Sequence, residues 1–169
     1  MLETAFRPSK ITLLVIGSLI FCWNFSVSDM AYGEESEVDA PVTIRVFKTP
    51  TCGCCVKWVD HLEAAGFNVE TTNLPDLTTL KQMNGVPPRL AACHTALVGS
   101  YVVEGHVPAA DIQRLLAEKP KIGGLAVAGM PLGSPGMEHP DPRRHQAYEV
   151  VAFGTDSPSG QEVFATHRP

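Results

Sequence analysis

Thr49-Pro50-Thr51-Cys52-Gly53-Cys54-Cys55 is the stretch on which the fold and the chemistry of this chain both turn. It follows Val42 to Phe47, a run rich in β-branched residues that alternates as a strand does. It precedes Cys55, Trp58, Val59 and Leu62, whose spacing is helical. Three thiols therefore sit at an expected strand-to-helix turn. The unpaired N–H groups of a helix N-terminus favour the thiolate and lower a thiol from its ordinary pKa of about 8.5. Cys52 and Cys55 make a C-x-x-C pair, suited to dithiol chemistry in which Cys52 attacks and Cys55 resolves. Cys52 and Cys54 make a C-x-C pair, suited to a soft metal. A dithiol motif needs only two cysteines, so the third points towards a thiolate-bound metal.

Outward from the motif, Gly66 stops the first helix and Phe67 to Thr72 reads as a second strand. Leu77, Leu80 and Met83 mark a short helix ending at Asn84-Gly85. Thr95 to Val98 and Tyr101 to Val103 predict a hairpin around Gly99-Ser100. Pro108 opens a helix with Ile112, Leu115 and Leu116 on its apolar side, and Pro120 lies beyond its end. The resulting order, β-α-β-α-β-β-α, is an α/β arrangement of thioredoxin type, with the C-x-x-C at the start of its first helix. Gly123 to Pro142, rich in Gly and Pro, reads as a loop. Tyr148 to Phe153 and Gln161 to Thr166 read as a terminal hairpin extension. There is no phosphate-binding loop, dinucleotide fingerprint or internal repeat.

The N-terminus carries Arg7 and Lys10, an uncharged stretch from Ile11 to Ser28, and Ala31-Tyr32-Gly33. That is a secretory leader, with cleavage expected after Gly33. An uncleaved membrane anchor is the alternative by length, weakened by Asn24, Ser26 and Ser28. Cys22 follows Phe21, too large for a lipoprotein signal, and would leave with the leader. Residues 34–41 form a short acidic linker, and residues 42–167 the expected domain. Without residues 1–33 the chain has 136 residues, four cysteines, and eleven Lys and Arg against sixteen Asp and Glu, a net charge of −5. That length suits one domain. Mild acidity without a basic patch argues against nucleic acid. The expected location is the periplasm or another exported compartment, without permanent membrane association.

With TPTCGCC, VPPRLAACHTALV, YVVEGHVPAADI, GLAVAGMPLGSPGME and the terminal hairpin in this order, the chain resembles the exported copper-resistance family of CopG type, distinct from the ribbon-helix-helix repressor of the same name. The resemblance spans roughly residues 42 to 167. It implies a periplasmic thioredoxin-like protein that binds copper through its cysteines and interconverts Cu(I) and Cu(II). Its implied ligands are Cys52, Cys54, Cys55 and Cys93, in a sulfur-bridged Cu(I) cluster, with copper ions, periplasmic copper proteins or redox proteins as partners. Met130 and Met137 match the family's Met-containing loop and are further candidate metal ligands, with Met130 as a hydrophobic plug over the site the alternative.

The chain departs from ordinary thioredoxins where a cis-proline would face the dithiol. Pro87-Pro88 falls well before Thr95, and Cys93-His94 directly precedes the strand, so the topology is expected to turn a fourth thiol towards the other three. Four thiolates also suit tetrahedral zinc, although zinc sites favour two separated cysteine pairs. The residues alone leave copper, a structural zinc and metal-free dithiol chemistry open. His94 is a further candidate as ligand or proton carrier. His106 reads as a turn anchor, and His61 as a solvated residue on the polar side of the first helix. His139, with the two methionines, lies on the Gly/Pro loop, while His145 and His167 show no interpretable spacing.

Overall fold

The computed structural model describes residues 41–169; the expected leader, its cleavage site and nearly all of the acidic linker lie outside the described residues. The expected thioredoxin-like order is present. Strand β1 (Thr43–Lys48) leads into helix α1 (Gly53–Ala64), strand β2 (Asn68–Asn73) and helix α2 (Thr78–Met83). Strands β3 (His94–Val98) and β4 (Tyr101–Glu104) follow, then helix α3 (Ala109–Glu118). Three further strands, β5 (Gly124–Ala126), β6 (Tyr148–Phe153) and β7 (Gln161–His167), complete one seven-stranded sheet in the order β2-β1-β3-β4-β5-β6-β7.

Alternation in β1 buries Ile44, Val46 and Lys48, and the helical spacing of α1 turns Cys55, Trp58 and Leu62 inward. Ile112 and Leu115 of α3 join the same core with Ala96, Val98, Val103 and Leu125. Burial of such side chains, about 1.5–3 kcal/mol each, outweighs the weak intrinsic preference of short elements. Gly66, at a φ of +90°, ends the α1 segment, and α3 closes on Lys119 in the left-handed conformation just before Pro120. No helix among the described residues is long and apolar enough to cross a membrane.

The stretch expected as loop, Gly123 to Pro142, contains a strand. β5 pairs parallel with β4, Val102 opposite Gly124, and antiparallel with β6, Gly124 opposite Phe153. Gly124 lies too close to the Val102 backbone and the Phe153 ring to admit a Cβ, and Leu125 beside it is fully buried. Three residues among glycines leave too short a pattern for alternation to show. The terminal hairpin is therefore joined to the thioredoxin-like part through continuous sheet.

Gly105, between β4 and α3, has a φ of +71°, and a Cβ there would stand 2.6 Å from the Val127 carbonyl oxygen and 2.7 Å from the Ala92 Cβ. Gly105→Ala should cost about 2–4 kcal/mol, combining backbone strain with overpacking. Denaturant unfolding of metal-free protein checks this; an unchanged midpoint would mean the turn can relax.

Candidate metal centre

The register of β1 against β3 builds the site. The pair is antiparallel and ends with Lys48 opposite His94, so the residue preceding β3, Cys93, stands beside the turn that follows β1. That turn carries the thiols. Cys52 caps α1, its Sγ accepting the Cys55 N–H at 3.3 Å, and its own N–H donates to the Thr49 carbonyl at 3.3 Å. Cys54 and Cys55 occupy the first turn, where the helix dipole favours negative charge and no acidic residue competes.

Cys52 and Cys55 are joined in a disulfide, with Cα atoms 5.4 Å apart, while Cys54 and Cys93 are free. Cys54 Sγ lies 3.5 Å from Cys52 Sγ and 3.9 Å from Cys93 Sγ. All four sulfurs fall within 4.8 Å of one another. Cys55 is buried and the other three are half-buried, so the cluster has an inner and an outer side.

A second group of donors meets the first at Cys93. The Sγ of Cys93 is 3.5 Å from His94 Nδ1 and 3.3 Å from His106 Nε2. Both imidazoles are fully buried, the His94 ring lying 4.3 Å from the Trp58 ring and edge-on to His106 at 5.0 Å. Trp58 is fixed in turn by its Nε1, which donates to the Val107 carbonyl at 2.8 Å. The Pro135 carbonyl accepts from His106 Nδ1 at 2.8 Å. A carbonyl only accepts, so Nδ1 carries the proton and Nε2 turns its lone pair to Cys93.

Burial, then the neighbouring Cys54, pushes the Cys93 thiol up to about 12, against a smaller opposing pull from Lys81. Cys93 is thus a thiol at neutral pH, and a metal binding there must displace its proton. His94 is held down to about 3, first by burial and then by His106 and Lys81, and His106 is lowered chiefly by burial. Both imidazoles are neutral at physiological pH and can serve as nitrogen donors.

Two features of the site were not read from the sequence. His106, expected only to anchor a turn, also reaches the cluster, because Gly105 bends the chain back and its N–H bonds the His94 carbonyl at 3.1 Å. Glu104 is fully buried, and its carboxylate accepts from the Ala92 N–H at 2.6 Å, Lys81 Nζ at 2.5 Å and Thr95 Oγ1 at 2.7 Å. It grips the chain on both sides of Cys93-His94. A lone Glu ending a strand carries no sequence signal for that role.

The Gly/Pro loop covers the mouth of the site. Gly136, at a φ of +82°, packs so closely on α1 that a Cβ would lie 2.6 Å from the Cys54 carbonyl oxygen. Met137 lines an open groove of about 380 Å³ with Gly53, Cys54, Lys57, Leu132, Gly136 and Glu138. Met130 is 53 % exposed and does not line that groove. His139 stays within the loop, its Nδ1 accepting the Asp141 N–H at 3.0 Å. His61 is not simply solvated, as the polar side of α1 suggested: its Nε2 accepts the Ala109 N–H at 3.0 Å, tying α1 to the start of α3.

The fold and this cysteine cluster define a thioredoxin-like protein with a candidate soft-metal centre. Two solved structures, of the copper resistance protein CopG in its Form 1 and Form 2, are each 44% identical to the chain, with a TM-score of 0.69. Each match covers 76% of this chain and 99% of the other. The chain belongs to the CopG copper-resistance family. The family described as DUF411, a protein family of unknown function, matches residues 90–137, a span that includes Cys93, His94, His106 and Met137. No curated protein matches the chain.

Replacing Glu104 should disturb Cys93 through the backbone that carries it. Glu104→Leu strands the Lys81 ammonium and two buried donors, and should cost about 3–5 kcal/mol. Glu104→Gln keeps the shape and one acceptor oxygen, and should cost less than half as much. Thermal unfolding of the two metal-free variants tests the ranking; equal stability would show that the carboxylate does not hold this segment.

Proposed function

We propose that the protein is an exported copper-handling protein whose Cys52, Cys54, Cys55 and Cys93 bind Cu(I) when reduced. The observation that carries this reading is the convergence of four sulfurs within 4.8 Å in a chain of the copper-resistance family. Thiolates are soft donors that select Cu(I) and bridge neighbouring ions. Cys52, Cys54 and Cys55 crowd three sulfurs onto one helix turn, an arrangement suited to a bridged multinuclear cluster more than to one tetrahedral zinc. Copper is the cargo here, and Met137, which lines the groove together with Cys54, would receive it there.

The same residues support copper oxidoreductase chemistry. Cys52 and Cys55 as thiolates supply two electrons when their S–S bond forms, and two Cu(II) ions each accept one, giving two Cu(I) ions and the disulfide. An exported dithiol reductant restores the pair by thiol–disulfide exchange. Cys52, the helix-capping sulfur with a partly exposed face, is the attacking thiol, and buried Cys55 the resolving one. Closing the disulfide withdraws two of four sulfurs from the metal, so copper capacity falls on oxidation.

The disulfide also favours a second reading, a thiol–disulfide oxidoreductase that needs no metal. Metal content decides between them. Fully reduced protein titrated anaerobically should take up copper with sulfur ligation, and Cys93→Ala should lose most of it. Full loading of Cys93→Ala would remove Cys93 from the site; absence of copper from reduced wild-type protein would favour the metal-free reading, and one bound zinc the structural one.

Export follows from the basic start, uncharged core and small residues before position 34. N-terminal sequencing of periplasmic protein should begin at or near Glu34. Full-length chain in the membrane fraction would establish an anchor instead.

A further inference from the structure

Cys93, His94 and His106 place one sulfur and two imidazoles within 4.8 Å of one another, on the inner side of the four-cysteine cluster. We propose that these three residues form a second copper position, which holds one ion while Cys52 and Cys55 are tied in their disulfide. The inference rests on the copper reading of the four cysteines and extends it to the oxidised protein.

Three observations carry it. First, His106 is oriented as metal-binding histidines are: its Nδ1–H is spent on the Pro135 carbonyl, which leaves Nε2 as a bare donor 3.3 Å from Cys93 Sγ. Secondly, His94 is fully buried with Nδ1 3.5 Å from the same sulfur, so its imidazole and that of His106 converge on Cys93 from two strand ends. Thirdly, the three donors are held by backbone that the disulfide does not touch. The β1–β3 register sets His94, Glu104 grips Ala92 and Thr95 on either side, and the Gly105 N–H fastens the His106 turn to the His94 carbonyl.

The donor set is chemically distinct from the cluster. Imidazole suits copper, and one thiolate adds soft character, so such a site retains copper without the two sulfurs lost to the disulfide. Cys93 belongs to both positions, and Cys54, 3.9 Å from it, also lines the groove with Met137. An ion released as the disulfide closes therefore has a place to remain, one sulfur away from where it was held.

The test uses full-length mature protein in two states, fully reduced and with the Cys52–Cys55 bridge confirmed by peptide mass mapping, each titrated anaerobically with Cu(I) against a competing chelator. The oxidised form should bind one copper per chain, and X-ray absorption should show imidazole nitrogen beside sulfur. In that form His106→Gln should weaken binding about tenfold or more, whereas the reduced variant keeps its sulfur-bound copper. A loaded reduced form beside an empty oxidised form overturns this inference and leaves the four-cysteine reading intact. Sulfur-only scattering from oxidised wild-type protein also overturns it, whether or not the variant folds. If neither form binds copper, both readings fall.

Discussion

The antiparallel pairing of β1 with β3 is the constraint on which the rest of the site depends. Strand register is fixed by the buried face: a slip of one residue would turn Ile44 and Val46 out of the core and Arg45 into it. The register that buries them ends with Lys48 opposite His94. The next residue on one strand opens the thiol-bearing turn, and the preceding residue on the other is Cys93. Hydrophobic packing some distance from any sulfur thus determines that a thiol separated by almost forty residues from the C-x-C-C run meets it. The helix follows from the same geometry, because α1 must lie across the sheet to bury Trp58 and Leu62, which points its N-terminus at Cys93.

A site at the end of a sheet exposes backbone that must be satisfied. Glu104 does this for the Cys93 segment, receiving the Ala92 N–H and the Thr95 hydroxyl while Lys81 compensates its charge. A buried ion pair contributes little net stability against an apolar replacement, since desolvation offsets most of the attraction. Its value here lies in direction. A carboxylate with three donors can take up few orientations, and so the backbone on either side of Cys93-His94 is held in place. Lys81 adds a cation close enough to oppose the upward push that burial gives the Cys93 thiol.

The thioredoxin-like order and the meeting of Cys93 with the other thiols were legible because each rested on a strong local signal. β-Branched alternation marks β1, helical spacing marks α1, and Gly99-Ser100 marks the β3–β4 hairpin, so topology alone brings the cysteines together. What stayed hidden depends on tertiary contact. β5 is three residues long and owes its strand to β4 and β6 on either side. His61 looks solvated by helical position and is engaged only because α3 starts above it. His106 reads as a turn residue from its neighbours Gly105 and Pro108, and nothing local reveals that the turn folds back onto His94. Glu104 shows no motif at all, because its three donors come from other segments of the chain.

The C-terminal extension is best understood from where its loop touches the thioredoxin-like part. β5 continues the sheet beyond β4, and the chain then returns across the cysteines before β6 resumes the sheet on the far side. On that return Pro135 fixes the His106 tautomer, and Gly136 lies against the first turn of α1 at a distance only glycine permits. Met137 follows at the groove beside Cys54. In three consecutive residues the extension accepts the His106 N–H, packs against the first turn of α1 and adds a methionine to the wall of the groove. A bare dithiol at a helix N-terminus is open to exchange with any passing thiol. Partly covered in this way, with a fourth sulfur and two neutral imidazoles behind it, the same turn becomes a set of soft and borderline donors, the kind of donor set that suits the copper reading proposed above.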